Sequence, residues 1–69
     1  MNIFNITQET IDYAKQNGHD IGFWKGEKWI KNILVHNTEK TLADVKKEEA
    51  EIVEEFGEVE AYFVGDYAN

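Results

Sequence analysis

The chain of 69 residues contains no cysteine, no proline, no serine and no arginine. Without cysteine there are no disulfides, no thiolate metal ligands and no thiol nucleophile, so nothing covalent compensates for a small core. With serine missing as well, nucleophilic chemistry would fall to threonine, lysine or tyrosine, and none of these lies in an activating motif. Arginine supplies the planar fork that grips phosphates and guanine edges, and lysine replaces it only as a point charge. The five glycines have neither Walker nor dinucleotide spacing, which removes the Gly-rich phosphate loops. The two histidines, His19 and His36, are not at the three- or four-residue spacing of a helical metal site. No apolar run is long enough to span a membrane, and the first residues lack the basic region and long apolar stretch of a secretion signal. The expectation is a cytoplasmic protein, a single domain over residues 1–69, with no enzymatic activity, no metal and no cofactor.

What is present is apolar enough to fold. Hydrophobic residues make up 42% and aromatics 13%, too much for a disordered chain even with 30% charged residues. The acidic excess is unevenly placed. Fourteen acids face seven lysines for a net charge of −7, and residues 1–37, with four of each sign, are neutral. Residues 38–69 therefore carry the whole excess, with seven glutamates and no base from Glu48 to Glu60. Such a balance argues against direct binding to nucleic acid or an anionic membrane and points to a cationic partner.

Spacing and stop signals give the elements. A helix is predicted over about Thr7 to Asn17, with Asn5 or Thr7 as cap, Ile11 and Ala14 on its apolar edge, and Asn17-Gly18 as its stop. Ile21 to Ile30 reads as a hairpin around Lys25-Gly26, its second strand continuing through Ile33, Leu34 and Val35. Trp29, Ile30, Ile33 and Leu34 also fit a helical period from Glu27 to His36, but the glycines, aromatics and β-branched residues favour the hairpin. A second helix runs from Thr38 or Thr41 to Phe56, with Leu42, Val45, Ile52, Val53 and Phe56 as its apolar stripe and Glu49 inside the same arc. Glu58 to Val64 alternates as a strand, with Val59, Ala61 and Phe63 inward and Tyr62 on the other face. The result is an α+β fold, helix–hairpin–helix–strand, with the helices on one face of a small antiparallel sheet. A strand over Asn2–Ile6 would make the order β-α-β-β-α-β, which is ferredoxin-like.

Two features are candidates for function. Asp44, Glu48, Glu51, Glu55 and Glu58 follow spacings of 4, 3, 4 and 3, which lines them along one side of a helix. At about 1.5 Å per residue this is one charge every ~5 Å. Each strand of a nucleic-acid duplex carries one phosphate per ~3.4 Å, so a groove built for nucleic acid can accept the stripe. Trp24, Trp29 and Tyr62 supply anchors, because a domain this small cannot hide every large ring. The expected function is that of an acidic interaction protein that occupies a basic, nucleic-acid-binding surface of another protein and inhibits it. In size and charge such a molecule is similar to small phage-borne inhibitors of host nucleases, polymerases or defence complexes. The alternative is an assembly module acting as a homodimer, its aromatic hairpin or last strand paired with a copy and its acidic face serving solubility.

Overall fold

The computed structural model describes residues 5–65. Helix α1 spans Gln8–Asn17. The Thr7 backbone N–H donates to Thr10 Oγ1 (3.1 Å), closing the first turn. Gly18 ends the helix at φ 70, a left-handed conformation that a side chain would oppose. Thr10, Ile11 and Ala14 form the buried edge.

The ambiguous middle is the hairpin. Strands β1 (Asp20–Lys25) and β2 (Lys28–Ile33) pair antiparallel around Gly26-Glu27. Gly26, at φ 64, supplies the positive dihedral that a tight two-residue loop needs at its first central position. The second strand stops earlier than the sequence suggests. Leu34 is exposed and Val35 is buried, but the Val35 N–H donates to the Asp20 carboxylate (2.9 Å) rather than to a neighbouring strand. A side-chain acceptor distant in sequence thus takes the chain out of the ladder.

Helix α2 spans Leu42–Phe56 and is capped by Thr41, the later of the two predicted starts. Thr38 instead uses its hydroxyl to donate to the Val35 carbonyl. Of the predicted stripe, Val45 and Ile52 are buried and Leu42 and Phe56 pack against the core, whereas Val53 is exposed. Glu49, half-buried at the edge of the stripe, pairs with Lys46 one turn away (3.4 Å). The helix has no basic residue in its last turn, and Lys25 of the hairpin supplies one by donating Nζ to the Phe56 carbonyl (2.7 Å).

Strand β3 (Glu60–Val64) pairs antiparallel with β1, giving the sheet order β2-β1-β3. The strand over Asn2–Ile6 that a ferredoxin-like order requires falls largely outside the described residues. Asn5 and Ile6, which are described, are not in a strand. In the split ferredoxin arrangement a strand separates the hairpin from the last strand, but here β1 and β3 are direct neighbours. Ile21, Phe23, Ile33 and Ala61 line one face of the sheet and form the core with Ile11, Ala14, Val45 and Ile52 of the helices. Both helices therefore cover one face; the other, the open face, has no described helix on it, with Asp20, Gly22 and Val64 buried, Trp24, Asn32 and Tyr62 half-buried, and Trp29 and Glu60 exposed.

Candidate interaction surfaces

The open face is built by alternation and one irregularity. Gly22 and Trp24 of β1 face away from the core, opposite Tyr62 and Glu60 of β3. On β2, Asn32 stands opposite Gly22, and regular pairing would then bring Ile30 opposite Trp24. Instead the register shifts between Phe23 and Trp24, Ile30 is left unmatched, and Trp29 pairs with Trp24. This β-bulge gathers both indoles on the Tyr62 side of the sheet. A side chain at Gly22 would prevent it. A methyl there would lie 2.5 Å from Trp24 Cζ3 and 2.8 Å from Asn32 Oδ1, so the Trp24 ring occupies the space that glycine leaves.

Short contacts fix the group. Trp24 and Tyr62 meet edge to face, with centroids 5.5 Å apart and planes at 88°. The Trp29 indole N–H donates to Asn32 Oδ1 (2.9 Å). The Tyr62 hydroxyl donates to Glu60 Oε2, and this bond to a carboxylate holds the phenol above its ordinary range. Trp29 remains 54% exposed, whereas Phe23, its neighbour in the sequence cluster, is core. The register puts Lys25, Lys28 and Lys31 on the helical side of the sheet. The other four lysines lie on the helices or, like Lys40, reach them. Among the described residues the open face thus carries exposed Glu60 and buried Asp20, and no lysine.

The acidic stripe is a second surface, on the helical layer. Asp44 is committed to the capping box, accepting the Thr41 N–H at Oδ2 (3.0 Å) while its own N–H donates to Thr41 Oγ1 (3.3 Å). Those hydrogen bonds hold its carboxyl below the usual range. Glu48 pairs with Lys40 (2.9 Å). Glu51 and Glu55 are exposed, with no ion-pair partner among the described residues. Glu58 lies beyond the helix, which stops at Phe56 and is broken by Gly57 at φ 80. The stripe therefore holds four residues on the helix rather than five, two of them already engaged.

The chain matches no family model, no curated protein and no solved structure.

The histidines are structural in their surroundings. His36 Nδ1 lies 2.8 Å from Asp20 Oδ1, the atom that also accepts the backbone N–H groups of Val35 and His36. The carboxylate beside His36 is thus sixteen residues earlier in the chain. His19 packs in an aromatic group with Tyr13 and Phe63, at centroid distances of 5.7 and 5.9 Å. Among the described residues there is no enclosed pocket and no cluster of three or more metal-ligating side chains. No helix of the described residues is long and apolar enough to cross a membrane.

Glu60 and Asn32 join the open-face group without a motif in the sequence that marks them. The i, i+2 relation of Glu60 to Tyr62 was available there, but the placement of Asn32 beside Trp29 depends on the bulge and leaves no periodic signal.

Proposed function

We propose that the protein is an acidic interaction protein that occupies a basic, nucleic-acid-binding surface of another protein and blocks it. The observation carrying this reading is the exposed pair Glu51 and Glu55 on α2, uncompensated among the described residues. Charges that are not neutralised within the molecule project their field outward and steer a partner of opposite sign. Glu48 adds to the same flank, although Lys40 offsets it. A groove that accepts these carboxylates in place of phosphates is closed to nucleic acid while the complex lasts.

The test is capture of a partner by the tagged full chain at low and high salt, with a duplex nucleic acid as competitor. Capture is expected to fall steeply with salt and to be displaced by the duplex. Glu48→Lys, Glu51→Lys and Glu55→Lys together are expected to slow association about tenfold or more at low salt. Unchanged capture by that triple variant would overturn the reading.

A further inference from the structure

We propose that the open sheet face receives an arginine side chain of a basic protein segment, with Trp24, Trp29 and Tyr62 presenting ring faces to the guanidinium and Glu60 compensating its charge. The inference rests on the reading of a basic partner, and it assigns the anchoring contact to a surface other than α2.

Four observations support this occupant. Three large aromatic side chains share one side of a sheet whose other side packs Ile21, Phe23, Ile33 and Ala61 into the core. Trp24 and Tyr62 brace each other nearly perpendicular and are half-buried, while Trp29 beside them is 54% exposed, so the group combines one accessible indole with two partly accessible rings. Among the described residues the only exposed charge the register brings beside them is Glu60, since Asp20, on the same side, is buried and hydrogen-bonded to Val35 and His36, while the lysines lie on or toward the helical side. Glu60 also keeps Oε1 without a hydrogen-bond partner among the described residues, since Oε2 takes the Tyr62 hydroxyl.

A planar, weakly hydrated guanidinium matches such a face better than a compact ammonium, because it can stack on a ring while donating to a carboxylate. A second copy of this chain fits less well. It would bring another Glu60 and another molecule of net charge −7 against the same face. Among the described residues the face holds no enclosed pocket, which suits a side chain presented by a protein surface rather than an enclosed small molecule.

The test titrates the full-length protein with a hexa-arginine peptide and with its hexa-citrulline counterpart, which keeps the shape and removes the charge. The readouts are the two indole N–H resonances and the affinity. Hexa-arginine is expected to shift both indoles, and citrulline to leave them in place. Trp29→Ala is expected to weaken hexa-arginine binding about two- to fivefold, Trp29→Tyr to restore most of it, and Glu60→Gln to weaken it while keeping the acceptor for Tyr62.

If hexa-arginine moves only resonances on α2, the inference fails and the basic-partner reading stands. If the indoles respond while the α2 charge reversals leave partner capture unchanged, the reading of α2 fails and the sheet-face site stands. Equal indole shifts with citrulline or with a neutral oligosaccharide such as cellohexaose would overturn the arginine assignment. So would a dimeric mass in light scattering that Trp29→Ala reduces to a monomer, because a second copy would then cover the face.

Discussion

Two residues show how local bonding sets the response to pH. Asp44 is a carboxylate whose folded value is depressed by the hydrogen bonds to Thr41. Its contribution is fully present above the ordinary aspartate range and is lost as pH falls through the depressed value. Helix α2 is therefore expected to loosen from its N-terminus in acid, and Thr41→Ala to cost about 0.5–2 kcal/mol at neutral pH. Urea unfolding at pH 7 and at pH 3 checks this, with the gap between wild type and Asp44→Asn narrowing in acid. Tyr62 behaves in the opposite sense. Its phenol is raised by the bond to Glu60, so that contact is complete below the ordinary tyrosine range and is lost as pH rises through the raised value. Gly22 is the steric counterpart. Gly22→Ala is expected to push the Trp24 ring off the sheet or to cost about 1–3 kcal/mol if the ring stays. Near-UV circular dichroism reports the first outcome and the denaturation midpoint the second. That Gly22 serves as a seat for an indole is not visible in sequence, where it reads as a glycine near a turn.

At the scale of elements, strong local signals decided what could be foreseen. Both helices were legible because their stops and apolar spacing agree: Gly18 and Gly57 end them, and Ile11, Ala14, Val45 and Ile52 face the core. The hairpin was legible from Gly26 and from the β-formers around it, even though Trp29 to Leu34 also fit a helix. Its end was not legible, because Asp20, fifteen residues earlier, withdraws the Val35 N–H from the ladder. That carboxylate pins the connection from β2 to α2 by accepting from Val35, His36 and the His36 ring. Asp20→Ala would leave the buried Val35 N–H without an acceptor and is expected to cost about 1–3 kcal/mol. Asp20→Asn keeps an oxygen at the same place and is expected to cost less. Hydrogen exchange at Val35, followed in both variants, separates loss of this latch from general destabilisation. Val53 and Glu58 mark the limit of periodic reasoning. The first completes an apolar arc yet faces water, and the second continues an acidic spacing past the point where the helix has ended.

The whole molecule has two unlike sides. The helical layer carries the lysines and most of the acids, with Glu51 and Glu55 uncompensated among the described residues, so its attraction for a partner is salt-sensitive. Among the described residues the sheet face carries aromatic rings and one exposed carboxylate, Glu60, and contacts there depend on stacking as well as charge. A partner that used only α2 would be released at an ionic strength that a partner seated on the sheet face survives. One flat surface cannot engage both sides, so a single partner touching both would have to wrap around an edge of the sheet. The net charge alone suggested one acidic body. The strand order instead separates what attracts a partner from what would hold it.

Because Ile30 stands opposite no residue of β1, strand β2 carries one position more than its neighbour requires. Loss of a single codon there would straighten the ladder while leaving Trp29 facing Trp24, whereas gain of a codon would demand a second irregularity in a six-residue strand. Descendants of this chain can thus shorten the hairpin arm more easily than lengthen it, and length change in this strand has a preferred direction.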